Sequence, residues 1–271
     1  MHPIAEKYLR KSALPMIFCP GCGHGTVLNA FLRAIDDMGI IDDLSLVGGI
    51  GCSSWAPVFV NTDVLHTLHG RAIAVATGLK LANPKSHVVV FTGDGDCIGI
   101  GGNHFLHGAR RNIDLTVIML DNHIYGMTGG QVAPTTPLQA TTQTSPHGNP
   151  EQPLDASAVA ISCGATYVAR WTSAHPRGII KAVKEAIQHK GFSFVHVLSQ
   201  CPTQAGRYIY GTPNADELLE QLKKRSIRKR KADDMSPQEL ADRIVVGKLH
   251  ETDERTELCE SIYALMQDRR G

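Results

Sequence analysis

The fold follows from residues 93–131, which read GDGDCIGIGGNHFLHGARRNIDLTVIMLDNHIYGMTGGQ. An apolar run at residues 88–91 leads into this stretch, and a second run at residues 115–120 stops shortly before Asn122. The residues between them favour a helix, so the stretch predicts a strand, a turn, a helix and a second strand. Its polar residues fall where the two strands end, which is the edge at which open α/β sheets bind ligands.

Asp94 and Asn122 are the two polar residues at these strand ends, and they are 28 residues apart. If the two strands are parallel neighbours, both side chains lie at the same edge of the sheet. A carboxylate and an amide oxygen are ligands that Mg²⁺ accepts together with phosphate oxygens. The glycines at 93 and 95 allow a backbone to approach closely. The stretch therefore predicts a magnesium–phosphate site.

The remainder of the chain alternates strands and helices. Short connections between alternating strands and helices predict an α/β fold, in which a doubly wound parallel sheet carries helices on both faces. We expect helices over residues 26–38, 72–82, 156–162 and 176–189, and strands over residues 44–48, 166–170 and 193–198. The long segment 132–154 is rich in Pro, Thr and Ser, and a loop of this length in a domain is often functional.

Composition bounds the number of domains and the partners. The chain has 271 residues, a net charge of +1 and 42% hydrophobic residues, which suits one large α/β domain with an appendage. We place the domain at residues 1–211 and a helical or irregular C-terminal extension at residues 212–271, which we expect to pack on a partner subunit. The extension contains a basic run at 223–231, a capping-box start at Ser236 and a charged helical segment at 254–269.

The basic run lacks interleaved aromatic residues that would stack on bases, and the near-neutral total charge also argues against nucleic-acid binding. The N-terminus has no signal-peptide core, and no run of about 18 apolar residues predicts a membrane span. We therefore expect a cytoplasmic protein that binds neither nucleic acid nor membrane.

Four of the seven cysteines lie in glycine- or proline-flanked loops. Cys19 and Cys22 form a C-x-x-C, whose two thiolates can reach one metal centre. Cys52 and Cys201 each follow a predicted strand, which brings them to the ligand edge of the sheet. Four such thiolates fit a [4Fe–4S] cluster, and they also fit a structural Zn²⁺ site.

The segment Leu68-His69-Gly70-Arg71 opens a predicted helix at the same edge. An imidazole and a guanidinium at a helix N-terminus can bind phosphate, which makes His69 a candidate. His24 is a weaker candidate of the same kind.

The order of these motifs carries a family resemblance. A GDG turn at 93–95 that is followed by Asn122 resembles the thiamine diphosphate motif. With CPGCGHG at 19–25, GIGCS at 49–53, LHGRA at 68–72 and IYGMTGGQ at 124–131, the chain resembles the β subunit of 2-oxoacid:ferredoxin oxidoreductases over about residues 15–210. The loop at 142–151 and the C-terminal extension look most like the 2-oxoglutarate branch, and the pyruvate, branched-chain 2-oxoacid and indolepyruvate branches stay open.

The resemblance implies a role for individual residues. Asp94 and Asn122 would bind Mg²⁺ with the backbone carbonyl of Ile124. The cofactor thiamine diphosphate would be bound by Ile50, Gly51, Cys52, Ser53, His69, Gly95, Asp96, Gly126 and Met127. One [4Fe–4S] cluster would be held by Cys19, Cys22, Cys52 and Cys201.

One position departs from the pattern of some relatives, which carry a basic residue shortly after the third cysteine. Ser53-Ser54-Trp55 stands here instead. Recognition of the substrate carboxylate would therefore come from Arg71 or from a partner subunit.

The resemblance also implies the fold and the activity. The fold would be the pyrophosphate-binding module of thiamine diphosphate enzymes. The activity would be oxidative decarboxylation of a 2-oxoacid in anaerobic metabolism, with coenzyme A as cosubstrate and ferredoxin as electron acceptor. In the 2-oxoglutarate branch the reaction would convert 2-oxoglutarate to succinyl-CoA. The activating glutamate would lie on the pyrimidine-binding domain of an α subunit, so no catalytic residue is assigned to this chain. The resemblance also allows γ and δ subunits as further partners.

Two other classes compete with this interpretation. One is half of a thiamine diphosphate decarboxylase or synthase that needs no cluster. The other is a zinc-stabilised, non-enzymatic binding module whose GDG turn is only structural.

Overall fold

The centre of the molecule is a mainly parallel β-sheet, seen in a computed structural model that describes residues 2–268. Within that range the sheet has eight strands: β1 (Leu44–Gly48), β2 (Asp63–His66), β3 (His87–Gly93), β4 (Leu115–Asp121), β7 (Tyr167–Thr172), β8 (Phe192–Leu198), β9 (Ser226–Arg228) and β10 (Ile244–Glu251). Their order across the sheet is β2-β1-β3-β4-β8-β7-β10-β9. Every neighbouring pair is parallel except β7 and β10. A separate hairpin joins β5 (Ile124–Tyr125) to β6 (Gln131–Val132).

Helices cover both faces of this sheet. They are α1 (Pro3–Tyr8), α2 (Gly23–Met38), α3 (Trp55–Val58), α4 (Ala72–Ala82), α5 (Gly102–Arg111), α6 (Ala156–Ser162), α7 (Pro176–Gln188), α8 (Ala205–Tyr208), α9 (Ala215–Arg225), α10 (Lys229–Ala232), α11 (Pro237–Leu240) and α12 (Leu258–Asp268). One buried core contains residues of α2 and α7, and a second contains residues of α4, α5 and α6. Along β3, Val89 and Phe91 enter the first core and Val88 and Val90 the second, as strand alternation requires. The predicted doubly wound α/β sheet is confirmed.

The central unit has the predicted neighbours. Strands β3 and β4 pair in parallel with Gly93 opposite Leu120, so Asp94 and Asn122 follow adjacent strand ends. The chain after β3 turns through one π-helical segment (Gly95–Ile100) before α5 begins. Helix α2 starts three residues earlier than predicted, since the backbone N–H of Gly23 donates to the carbonyl of Gln200 at 3.0 Å and fixes its first turn.

The C-terminal extension adds to this sheet. Strand β10 pairs with β7, and neither β9 nor β10 was expected in a helical or irregular extension. The guanidinium of Arg255 donates to the carbonyl of Arg110, in the last turn of α5, and to that of Gly164, which follows α6. The capping box at Ser236 is present as predicted. The extension thus packs against its own domain, and its packing on a partner subunit stays a prediction.

The predicted C-terminal helix begins four residues late, at Leu258, because Thr252 to Glu257 form an irregular connection. The expected last residue of that helix, at 269, lies outside the described residues. So do Met1 of the predicted domain and residues 270–271 of the predicted extension. In the part of the chain that the structure describes, no helix is long and apolar enough to cross a membrane.

Candidate active site

A cleft of about 150 Å³ opens at the carboxyl ends of β1, β3 and β4. It lies where the sequence predicts ligand binding, since parallel strands place their carboxyl ends on one edge. All twelve residues assigned to the cofactor and to Mg²⁺ line it: Ile50, Gly51, Cys52, Ser53, His69, Asp94, Gly95, Asp96, Asn122, Ile124, Gly126 and Met127. Arg71 is exposed and is not among the lining residues. Substrate recognition by Arg71 therefore stays a prediction.

Asp94 is a buried carboxylate that faces this cleft, and it is only 4% exposed. Its Oδ2 accepts a hydrogen bond from Thr135 Oγ1 at 2.6 Å. Burial, and next the nearby charge of Asp121, raises the pKa of Asp94 well above its usual range. Among the salt bridges of residues 2–268, none involves Asp94. A divalent cation would supply the missing positive charge, and the donor set fits Mg²⁺.

The turn after β4 presents the other two predicted magnesium ligands. Asp121 Oδ1 accepts from the backbone N–H of His123 at 2.9 Å, and Asn122 Oδ1 accepts from Ile124 N–H at 3.2 Å. His123 has a φ of +64°, a left-handed conformation that such local hydrogen bonds stabilise. A carbonyl oxygen has two lone pairs, so Asn122 Oδ1 retains one for a metal.

Asp121 is itself fixed from the opposite side. Its Oδ2 lies 2.9 Å from Nε2 of the buried His196. Burial tends to raise the pKa of Asp121, but the charges and hydrogen bonds of His123 and His196 outweigh it and hold that pKa below its usual range. Thr135, from the long proline-rich loop, reaches Asp121 Oδ1 at 2.8 Å as well as Asp94. Sequence reasoning missed Asp121, His196 and Thr135, although the loop was expected to be functional.

The carboxylate of Asp96, unlike that of Asp94, connects several chain segments through hydrogen bonds. Its carboxylate lies within hydrogen-bond distance of four donors: Ile50 N at 3.1 Å, Gly70 N at 2.7 Å, His69 Nδ1 at 2.7 Å and Thr92 Oγ1 at 2.6 Å. These donors come from three separate segments, so Asp96 holds the loop after β1 and the loop before α4 against the GDG turn. These donors occupy the carboxylate, and the predicted diphosphate contact of Asp96 stays a prediction.

Two glycines of the cleft are required by close approaches. A Cβ atom on Gly49 would lie 1.9 Å from Asp96 Oδ2, and one on Gly95 would lie 2.1 Å from Tyr125 Cε1. The Tyr125 hydroxyl also donates to the Gly95 carbonyl at 3.2 Å. The second glycine of the GDG turn is therefore needed to seat the Tyr125 ring beside the cleft.

A second cavity of about 330 Å³ adjoins the cleft and is lined by Cys19, Cys22, Cys52 and Cys201. A Cβ atom on Gly126 would lie 3.9 Å from Sγ of Cys52 and 3.9 Å from Sγ of Cys201. The predicted convergence of the four cysteines is therefore observed.

The cysteine-lined cavity suits a group larger than one ion. Its volume is about ten times the roughly 30 Å³ that one water occupies in the liquid. Within residues 2–268, no three His, Cys, Asp or Glu side chains are grouped closely enough to hold one metal ion. Burial raises the pKa of Cys22 to about 12 and that of Cys52 to about 11, so both thiolates need nearby positive charge. Four thiols around a space of this size fit a [4Fe–4S] cluster.

Five residues line both cavities, namely His24, Cys52, Asn122, Gly126 and Met127. His24 is 1% exposed, and its Nδ1 lies 2.8 Å from Ser199 Oγ. Burial lowers the pKa of His24 to about 4, so the ring is neutral near pH 7.

These features define a class of protein. A strand-end cleft with a buried carboxylate, an amide and glycine turns suits the binding of a diphosphate together with a metal ion. The family model described as "Thiamine pyrophosphate enzyme, C-terminal TPP binding domain" matches residues 49–197, which include the whole central unit.

Comparison with similar proteins identifies the family within this class. The chain is 53% identical to the 2-oxoglutarate synthase subunit KorB of Methanocaldococcus jannaschii over 98% of both chains. It is 43% identical to the 2-oxoacid:ferredoxin oxidoreductase 2 subunit beta of Aeropyrum pernix over 69% of this chain and 60% of that one. The solved 2-oxoglutarate:ferredoxin oxidoreductase from Magnetococcus marinus, with 2-oxoglutarate, coenzyme A and succinyl-CoA bound, superimposes with a TM-score of 0.87 at 36% identity, covering 98% of this chain and 91% of that one. The chain belongs to the β subunits of the 2-oxoacid:ferredoxin oxidoreductase family.

Proposed function

We propose that this chain is the β subunit of a 2-oxoglutarate:ferredoxin oxidoreductase, which converts 2-oxoglutarate to succinyl-CoA with thiamine diphosphate. The observation that carries the proposal is the cysteine-lined cavity that shares a wall with the cofactor cleft. That arrangement suits oxidative decarboxylation, because an iron–sulfur cluster held by those cysteines would be a one-electron acceptor beside the cofactor cleft. The names of the relatives at 53% and 36% identity support 2-oxoglutarate as the substrate.

Asp94, Asn122 and the carbonyl of Ile124 hold Mg²⁺ in this proposal, and the glycine turns approach the diphosphate. The buried Asp94 charge is offset by the metal, and the Asp121–His196 pair keeps the turn that carries Asn122 in place. Ile50, Gly51, Ser53 and His69 lie along the cofactor, and Asp96 fixes two of those segments. Thiamine diphosphate, when bound, supplies the electron sink for decarboxylation.

Cys19, Cys22, Cys52 and Cys201 would hold one [4Fe–4S] cluster, which would supply one-electron chemistry with ferredoxin as the acceptor. The N–H of Gly23 donates to the carbonyl of Gln200, which ties the first cysteine loop to the loop of Cys201. Three separate chain segments thus converge at one site, and burial of the thiols favours a group that compensates their negative charge.

The catalytic site is completed by another subunit. The acidic side chains that line the cleft within the described residues are Asp94 and Asp96, and no glutamate of that part of the chain lines it. The glutamate that activates thiamine diphosphate is therefore assigned to an α subunit. This chain is one subunit of a multi-subunit enzyme and should be inactive alone.

Substrate and cluster are tested on the anaerobically reconstituted complex. Viologen reduction with coenzyme A should be fastest, as kcat/KM, for 2-oxoglutarate compared with pyruvate, 2-oxoisovalerate and indolepyruvate. Preference for one of the other acids would replace the proposed substrate. Iron and sulfide analysis should give about four of each per chain, whereas about one zinc per chain would indicate the structural site instead.

Two matched variants test the assigned residues. Cys201→Ser should lose the cluster, whereas Cys163→Ser, which changes a cysteine outside the cavity, should retain it.

Asp94→Ala should weaken Mg²⁺–thiamine diphosphate binding in calorimetric titration of the complex. Wild-type affinity in that variant would remove Asp94 from the metal site.

A further inference from the structure

His24 carries a polar atom for which neither the fold nor the proposed function gives a use. It is the second residue of α2, and its ring is fixed by an edge-on contact with Phe18 at a centroid distance of 5.8 Å. Nδ1 is used by Ser199, at 2.8 Å. No hydrogen bond to Nε2 is formed by the residues that the structure describes.

The hydrogen bond at Nδ1 sets the tautomer of the ring. Within residues 2–268, Ser199 Oγ has His24 as its one hydrogen-bond partner. If the ring donated to Ser199, the serine hydrogen would have no acceptor in a buried site, which costs about 1–3 kcal/mol. If Ser199 donates to Nδ1, both groups are satisfied and the ring proton is on Nε2.

His24 belongs to the wall that the two cavities share, and its Nε2–H group is not enclosed. Among residues 2–268, the side-chain polar atoms that are fully enclosed without a partner are Arg10 Nε, Ser54 Oγ and Ser193 Oγ. Nε2 of His24 is not one of them, although the residue is only 1% exposed, so this atom is not fully enclosed, and the residue that carries it lines both cavities. The molecule thus has an unpaired, immobilised donor beside four cysteines.

The position of the residue favours an anionic acceptor. His24 is the second residue of α2, so its backbone N–H is one of the donors that have no partner within the helix. Helix α2 has 16 residues, so its N-terminus also contributes positive potential at this point. The main chain and the ring of His24 therefore both direct positive charge toward the cysteine-lined cavity.

We propose that His24 Nε2–H donates a hydrogen bond to a sulfur atom of the iron–sulfur cluster, and that Ser199 fixes the tautomer that allows it. His24 is then a positioning residue that raises the reduction potential of the cluster, because hydrogen bonds to sulfur stabilise the more negative reduced state. This inference rests on the proposed function, since it requires the cluster.

The test measures the cluster potential in the reconstituted complex by redox titration followed by electron paramagnetic resonance. His24→Leu removes the donor and should shift the midpoint potential to a more negative value at unchanged iron and sulfide content. His24→Gln retains an N–H donor and should fall between the two. Ser199→Ala leaves the imidazole in place but releases its tautomer, so it should produce a smaller negative shift.

The tautomer has its own measurement on the chain without metal. Nitrogen-15 NMR of the histidine rings should show His24 protonated on Nε2, and a ring protonated on Nδ1 would overturn the inference. Equal potentials in wild type, His24→Leu and Ser199→Ala with full iron content would also overturn it while leaving the proposed function intact. If His24→Leu changed only the affinity for thiamine diphosphate, the Nε2–H group would donate to the cofactor and the inference would be overturned. Absence of iron from the wild-type complex would instead remove the proposed function, and the inference with it.

Discussion

Replacing Asp96 with asparagine should destabilise the protein more than any other single-atom change at the cleft. The carboxylate has four partners, at 3.1, 2.7, 2.7 and 2.6 Å, and it is 3% exposed. A hydrogen bond to a charged group contributes about 1.5–3 kcal/mol, and one between neutral groups about 0.5–1.5 kcal/mol. Asparagine therefore loses about 1 kcal/mol at each of the three N–H partners, and the Thr92 hydroxyl can rotate to accept from the new amide.

The expected loss is about 3 kcal/mol in the free energy of unfolding. For a domain of this size it corresponds to a fall of roughly 6–12 °C in Tm. Asp96→Asn should also bind Mg²⁺–thiamine diphosphate more weakly, since the loops that carry Ile50 and His69 lose their common anchor. Urea denaturation of the chain and calorimetric titration of the complex measure the two effects.

Asp42→Asn is the matched control, because Asp42 is an exposed carboxylate far from these hydrogen bonds. It should change stability by less than about 0.5 kcal/mol. A wild-type unfolding midpoint in Asp96→Asn would refute the assignment of Asp96 as the anchor of the two loops. Weaker cofactor binding at unchanged stability would mean that the carboxylate contacts the cofactor directly.

Three further substitutions test other parts of the structure. Gly95→Ala should cost about 1–3 kcal/mol by overpacking against Tyr125 in denaturant unfolding, and Gly95→Ala combined with Tyr125→Ala should restore part of it. Asp155→Ala should cost about 1 kcal/mol near pH 7, because Asp155 caps α6 and pairs with Arg170. Burial tends to raise the pKa of Asp155, but Arg170 and the helix cap outweigh it and lower that pKa. The contribution of Asp155 to stability is therefore complete above the ordinary carboxyl pKa and is lost as the pH falls. The unfolding curves of Asp155→Ala and wild type should accordingly converge at low pH. Arg255→Ala should speed hydrogen exchange at the C-terminal ends of α5 and α6, and unchanged exchange there would show that the guanidinium contacts are dispensable.

The sequence predicted the elements whose signals are local. Strand β1 and helix α6 have the expected bounds, since an apolar run or an Asp cap is contained within the element itself. The sheet edge of the site was also predictable, because the end of a parallel strand follows from the chain direction. Strand β10 was missed because its partner, β7, lies about 80 residues earlier in the chain and only the tertiary pairing makes it a strand.

The resemblance assigns Asp94 to Mg²⁺ and Asp96 to the cofactor, but it does not indicate which groups hold either side chain. In the GDGD pattern itself the two aspartates look equivalent. The structure separates them by their partners: Asp96 is hydrogen-bonded by Ile50, His69 and Gly70, which are distant in sequence, whereas Asp94 faces the cleft with one hydroxyl beside it. Such partners depend on how loops meet, which no local pattern records.

The shared wall between the two cavities explains why the motifs occur together in one chain. Gly126 lies between Asn122 on one side and the sulfurs of Cys52 and Cys201 on the other, and a Cβ atom added there would lie 3.3 Å from Asn122 Nδ2 and 3.9 Å from each sulfur. Cys52 itself lines both cavities, so one of the four thiols is also part of the wall of the cleft. Gly126 and the neutral ring of His24 belong to the same shared wall. A fold that bound thiamine diphosphate alone would have no need to place four thiols against that wall, which supports an electron acceptor there in the proposed function.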